Sequence, residues 1–183
     1  MFSVETEFDC GGSWMVERPL AHIGQMRIVP VTAGGDPALL ATARTLMAEY
    51  GAMPHIDGRW NTVEADIAAL PHPYVTPRGV LLLGLDGDAP LACGALAPLE
   101  PPAIAEIKRV YVRPEGRGRG VGEAMTRALM DAAKAAGYSK VRLDTAPELK
   151  AAQALYTRLG FTQCAPYHEG NGREYVFFER SLE

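Results

Sequence analysis

The segment Arg113-Pro114-Glu115-Gly116-Arg117-Gly118-Arg119-Gly120-Val121-Gly122 concentrates the residue types that hold a phosphorylated ligand. Glycines 118, 120 and 122 let the backbone approach a ligand and adopt angles closed to other residues. The pattern predicts a helix from Gly120. The N–H groups of a first helical turn have no partner inside the helix, and the helix dipole favours an anion beside them. Arg117 and Arg119 add positive charge. Together these features describe a cradle for a pyrophosphate. The Gly118-x-Gly120-x-Gly122 spacing is not the Gly-x-Gly-x-x-Gly of dinucleotide-binding folds, and Gly-Lys-Ser/Thr is missing, so this is not a P-loop. Taken alone, a glycine-rich turn with solvated arginines accounts for the same residues.

The elements around the segment decide how it is held. Met26 to Val31 reads as a strand, and Asp36-Pro37 opens a helix to about Ala52, with Leu39, Ala43, Leu46, Met47 and Tyr50 on one face. Asn61 to Leu70 reads as a shorter helix. The three prolines between Pro71 and Gly79 mark a loop. Val80 to Leu85 and Pro90 to Leu99 read as strands joined by the hairpin signal Asp86-Gly87-Asp88. Ile104 to Val112 is a third strand of this meander. Gly120 to Ala136 carries an apolar stripe and the helix-supporting pair Glu123 and Arg127, and Gly137 stops it. Lys140 to Asp144 is a short strand. Thr145-Ala146-Pro147-Glu148 has the form of a capping box, so a helix is predicted from there to Leu159. Phe161 to Ala165 and Glu174 to Glu179 read as closing strands. The order βααβββαβαββ is that of an α/β (α+β) domain, a mixed sheet with helices on its faces. Residues 1–25 show no clear period and read as an N-terminal extension, a flexible tail or an added strand; the domain proper is residues 26–183.

A chain of 183 residues is long enough for one domain with a sizeable core. The formal net charge of −4 and pI near 5.6 argue against a dedicated nucleic-acid binder, which would carry a basic field. The apolar runs are too short to span a bilayer, and a signal peptide is not evident. Cys10, Cys93 and Cys164 lack metal-ligand spacing and read as free thiols in a reducing compartment. A cytoplasmic protein without a metal is therefore expected. Cys93, between Ala92 and Gly94, reads as a small core residue. By alternation, one of Lys108 and Arg109 should point away from the core. His55, His72 and His168 read as solvated surface, and Tyr74 and Arg78 as loop spacers.

Three motifs in order resemble the GNAT superfamily of acyl-CoA-dependent N-acetyltransferases. Arg117-Gly118-Arg119-Gly120-Val121-Gly122 matches the signature Arg/Gln-x-x-Gly-x-Gly/Ala. Glu106-Ile107-Lys108-Arg109-Val110-Tyr111-Val112 is similar to the strand before it, and Ala154-Leu155-Tyr156-Thr157-Arg158-Leu159-Gly160-Phe161 to the last helix. Residues 79–161 are covered closely. The resemblance implies a mostly antiparallel twisted sheet whose strand ending at Val112 splays from its neighbour, often at a bulge. It implies acetyl-CoA as cosubstrate, with backbone groups at Val110, Tyr111 and Val112 on the pantetheine arm and the amides of residues 117–122 on the pyrophosphate. Tyr156 corresponds to a tyrosine that protonates the departing thiolate, and Glu106 to a strand position that in some members holds the general base. Many members carry an asparagine after the next strand; this chain has Asp144-Thr145-Ala146, and Thr145 is the residue placed to serve instead.

That chemistry is consistent with the residue types. An amine attacks a thioester only when neutral, yet an alkylamine with a lysine-like pKa of about 10.4 is mostly protonated at pH 7. A base, or a water chain to one, must take its proton, a backbone N–H must stabilise the oxyanion, and an acid assists the leaving thiolate. The expected acceptor is a primary amine of a small molecule or peptide, and members of the family are often homodimers. A non-catalytic acyl-CoA-binding or sensing module is the alternative reading of the same cradle.

Overall fold

The computed structural model describes residues 22–23, 26–54, 56, 60–100, 103–169 and 174–183. Eight strands form one sheet: β1 (His22–Ile23), β2 (Met26–Val31), β3 (Val80–Asp86), β4 (Ala89–Glu100), β5 (Ile104–Val112), β6 (Lys140–Thr145), β7 (Thr162–Gln163) and β8 (Val176–Ser181). Their spatial order is β1-β2-β3-β4-β5-β6-β8-β7. Every neighbouring pair is antiparallel except β5 and β6. Four helices complete the fold: α1 (Pro37–Gly51), α2 (Trp60–Ala69), α3 (Val121–Ala135) and α4 (Lys150–Arg158). Among the described residues no helix is long and apolar enough to cross a membrane. The predicted element order holds, and β1 extends the sheet four residues before Met26; residues 1–21 lie outside the described residues.

The sheet is covered on both faces, which explains the unbroken apolar run of β3. Leu82 packs under α3 with Ala128 and Leu129, whereas Leu81 and Leu83 pack with Leu46 and Met47 of α1. A strand buried on both sides has no solvent face to make polar. Helix α3 presents Val121, Met125, Ala128, Leu129 and Ala132 to the sheet at helical spacing. The Glu123–Arg127 pair forms, with Nε 3.0 Å from Oε1. Gly137, at φ 84°, closes the helix: its N–H reaches Lys134 O, and the Tyr138 N–H reaches Ala133 O.

Three details of the sequence reading need correction. The capping box does not form. Thr145 stays in β6, paired with Val176, and α4 starts only at Lys150. Gln153 instead reaches back with its side-chain amide to the carbonyls of Ala146 and Pro147 at 3.0 and 2.9 Å. Strand pairing prevails over the local cap because Thr145, the last residue of β6, is buried and paired with Val176 rather than exposed at a helix end. The alternation in β5 also fails. Ala95 pairs with Lys108 but Cys93 pairs with Tyr111, so Arg109 and Val110 stand opposite the single residue Gly94. This β-bulge turns Arg109 to φ 56° and puts Lys108 and Arg109 on the same face. A Cβ on Gly94 would lie 2.9 Å from the Leu129 Cδ1 methyl, so a larger residue there would push that side chain aside. The closing strands are also shorter or shifted: β7 keeps only Thr162–Gln163, and β8 runs to Ser181.

Helix α1 is fastened to the end of β5 by Glu49 and Arg113, which meet side by side at 2.9 and 2.5 Å. The hydrogen bonds from Arg113 hold the Glu49 carboxyl below its ordinary pKa. A carboxylate depressed on folding stabilises above its unfolded pKa, and that contribution is lost as pH falls through the folded value. Glu49→Gln should therefore lower Tm by about 2–4 °C at pH 7. The gap to wild type should close as pH falls from about 5 towards 3. Thermal melts of both proteins across that range check the sign.

Candidate active site

Strands β5 and β6 pair only at Ile104–Lys140, Ala105–Val141 and Glu106–Arg142. Beyond that point β6 stays with β8 to Thr145, while β5 turns away through its bulge. The gap between them is a cleft of about 380 Å³. Glu106, Val110, Asp144, Thr145, Tyr156 and His168 are among the residues that line it. Four residues expected from the sequence, Glu106, Val110, Thr145 and Tyr156, thus come together on one cavity.

Glu106 is buried, at 5% exposure, rather than solvated as alternation allowed. Its Oε2 accepts from the Lys108 ammonium at 2.8 Å and its Oε1 from the Tyr167 hydroxyl at 3.0 Å. Burial, and after it the Glu106 charge, pushes the Tyr167 pKa up, so that hydroxyl stays a donor. Tyr156 is held by rings: its centroid lies 5.8 Å from that of Phe161 and 5.9 Å from that of Phe178. Burial, then Tyr50 and Asp144, raises its pKa, so it keeps its proton at neutral pH. Thr145 is buried at the end of β6, at the mouth of the gap.

The loop from Arg117 to Gly122 has the backbone that the glycines foretold. Gly118 and Gly120 have φ 72° and 79°, and Gly120 is the left-handed N-cap of α3. The first bond of α3 runs from the Ala124 N–H to Gly120 O, leaving the N–H groups of Val121, Gly122 and Glu123 without an intrahelical acceptor. Residues 117–120 are exposed. The loop adjoins the cleft strand, since a Cβ on Gly122 would touch Leu155 at 3.5 Å and Val112 at 3.6 Å. These features fit a pyrophosphate. The two arginines are less free than their charge suggested: Arg117 Nε donates to Val112 O at 3.1 Å, and Arg119 pairs with Asp86 at 2.7 Å. The Tyr111 side chain faces α1 and bonds Glu49, so only its backbone is available to the cleft side.

Asp144 and Tyr167 were not among the expected site residues; His168, read as solvated surface, is exposed but also lines the cleft. Asp144 Oδ1 lies 3.6 Å from His168 Nε2. One ligand atom each of Glu106, Asp144 and His168 falls within 4.8 Å of the others. The His168 ring packs against Tyr167, Tyr175 and Phe177 with centroids 5.1, 5.4 and 4.9 Å away. The aromatic density of Tyr167-His168 and Tyr175-x-Phe177 was the signal available for this wall. Tyr74 is not a spacer: it is 1% exposed and donates to Asp66 at 2.6 Å, and the Arg78 carbonyl accepts from Tyr138 at 2.9 Å. Cys93 is core, its thiol pushed up to about 12 by burial, and Cys93 and Cys164 are unpaired.

A parallel pair that splays beside a glycine-rich helix start is the arrangement that the resemblance to acyl-CoA-dependent acetyltransferases implies. The model of the Acetyltransferase (GNAT) family matches residues 43–161, and the chain belongs to that family. It is 32% identical over 142 residues to an uncharacterised N-acetyltransferase of Schizosaccharomyces pombe, covering 76% of this chain and 86% of that one. It is 30% identical over 169 residues to the mycothiol acetyltransferase of Beutenbergia cavernae, covering 81% of this chain and 56% of that one. A crystal structure of an acetyltransferase from Streptococcus agalactiae superposes with a TM-score of 0.72 at 19% identity, over 86% of this chain and 99% of that one; it is similar in fold. Members of the family use acetyl-CoA or another acyl-CoA as cosubstrate.

Gly120→Asp places a negative charge at the helix start and should weaken CoA binding at least about tenfold, or roughly 1.4 kcal/mol. Gly120→Ala imposes the backbone strain without the charge and should fall between wild type and Asp. Calorimetric titration with CoA on all three proteins checks this; equal affinities would remove the cradle.

Proposed function

We propose that this chain transfers an acetyl group from acetyl-CoA to a primary amine by direct attack, without an acyl-enzyme. The observation that carries the reading is that Glu106 and Tyr156, a base and an acid, line the same cleft opened by β5 and β6. The exposed N–H groups at the start of α3 hold the pyrophosphate, and the backbone from Val110 to Val112 takes the pantetheine arm. Thr145 closes the opposite wall of the gap.

Glu106 takes the proton that the acceptor ammonium must lose before it attacks. Its two donors, Lys108 and Tyr167, fix its orientation. Backbone N–H groups of β5 freed by the bulge stabilise the oxyanion. Tyr156 carries a proton in the ground state and gives it up as charge develops on the departing sulfur. The acceptor is a small molecule or peptide, and a sensing module would bind CoA without releasing thiol.

A thiol-release assay with acetyl-CoA against a broad amine panel tests the activity. Within it, Tyr156→Phe should lower kcat by about 10²-fold or more with little change in KM for acetyl-CoA. Its Tm should also hold, because the ring contacts to Phe161 and Phe178 remain. A kcat within about threefold of wild type, where chemistry limits the rate, would sink the role of Tyr156.

A further inference from the structure

In the transfer reaction proposed above, Glu106 takes the acceptor's proton, so the body of the acceptor lies against the wall of the cleft next to that carboxylate. That wall is aromatic. A ring nitrogen of His168 is within 4.8 Å of a Glu106 carboxylate oxygen, and His168 and Tyr175 both line the cleft. Their rings meet edge to face, with centroids 5.4 Å apart and planes at 86°. Phe177 of β8 supports both, 4.9 Å from His168 and 5.9 Å from Tyr175, and Tyr167 lies 5.1 Å from His168. Rings that brace one another hold their positions, so this surface is in place before an acceptor arrives. Leu99 of β4 and the buried Ile56 add apolar surface to the same cavity.

The charges of the cleft point the same way. Lys108 lies 2.8 Å from Glu106, and Arg109 lies 2.8 Å from Asp66. His168 Nε2 is 3.6 Å from Asp144 Oδ1. Among the described residues that line the cleft, each group able to carry positive charge therefore has a carboxylate beside it. A carboxylate on the acceptor finds the pull of these groups already offset. It must also approach Glu106 and Asp144, which present acceptor oxygens to it rather than donors. An amine joined to an uncharged apolar body meets neither penalty. A largely apolar cavity with a few placed polar groups suits such a molecule.

We propose that this aromatic wall selects the acceptor: the enzyme takes arylalkylamines that lack a carboxylate, with Tyr175 and His168 as the specificity-determining residues. The acceptor's ring packs on theirs, offset or edge to face, as aromatic pairs prefer. The closeness of the His168 ring to Glu106 matches a short alkyl link between ring and amine. This deepens the acetyl-transfer reading and rests on it for the chemistry, but the selectivity is measurable by binding alone.

The test is a ligand-observed NMR titration of the CoA-saturated protein with 2-phenylethylamine, propylamine and L-phenylalanine. Propylamine lacks the ring, and L-phenylalanine adds only the carboxylate. Wild type should bind 2-phenylethylamine at least about tenfold more tightly than either. Tyr175→Ala and His168→Ala should each cut the preference over propylamine to about threefold or less. Tyr175→Phe keeps the ring and should retain the preference, which separates recognition by the ring from a general disturbance of the wall. His168 is exposed, so its variant keeps the test sound if Tyr175→Ala fails to fold. A wild type that binds the three compounds alike or prefers L-phenylalanine overturns the proposal, as do folded alanine variants with an undiminished preference. Thiol release from acetyl-CoA on the same samples separates the two readings. Release with equal affinities for the two amines removes the selectivity alone. Ring-selective binding without release from any amine keeps the selectivity and removes the transferase activity.

Discussion

Arg109 is the point at which the sheet is forced open. A residue with a Cβ in the left-handed region costs roughly 1–2 kcal/mol, and Arg109 sits there at φ 56°. Its guanidinium is anchored on one carboxylate oxygen, Asp66 Oδ2, which accepts from Nε and from a terminal nitrogen, both at 2.8 Å. The Tyr74 hydroxyl shares that oxygen at 2.6 Å. Strained backbone persists where its surroundings over-determine it, and here α2 and the proline-rich loop do so together. Without the bulge, Lys108 and Val110 would share a face and β5 would lie straighter along its neighbours. With it, the strand bends, and β6 is left to β8.

The same strand explains how the α1–α2 layer is fastened. Three cations of β5 and its exit, Lys108, Arg109 and Arg113, each meet a carboxylate: Glu106, Asp66 and Glu49. Two of these carboxylates come from helices and one from the strand itself. Pairs of this kind contribute little net stability once desolvation is counted, but removing one partner leaves an uncompensated charge. Their effect is geometric. The two pairs that reach the helices tie α2 to the bulge at Arg109 and α1 to the end of β5.

Much of this was legible in the chain. The hairpin at Gly87, the amphipathic α3, the Gly137 stop and the glycine loop are local signals, and each formed where its residues indicated. The bulge was not legible, because alternation assumes an unbroken ladder and nothing in Lys108-Arg109-Val110 announces an extra residue. Nor was the failed cap: Thr145-x-x-Glu148 is a sound local motif that lost to a long-range partner, Val176. The site divided along the same line. Glu106 and Tyr156 stood out through the motifs around them. Asp144 and His168 did not, because they are 24 residues apart and meet only when β8 inserts between β6 and β7.

The two ends of the cleft have opposite electrical character, and that polarity orients the reactants. One end offers free N–H groups at the positive end of the α3 dipole, beside Gly118 and Gly120. The other carries the carboxylates of Glu106 and Asp144. In the proposed reaction a phosphate-bearing carrier and an ammonium acceptor would be drawn to different places, with their reactive groups meeting beside Tyr156. Lys108 refines the arrangement. Its ammonium lies 2.8 Å from Glu106, and its charge opposes a persistent cation at the same place. A site built only from carboxylates would bind the ammonium tightly and hold it protonated, which is binding without reaction. Placing one fixed cation beside the base weakens that ground state more than the neutral amine that attacks, so the interaction favours the transition state over the bound substrate.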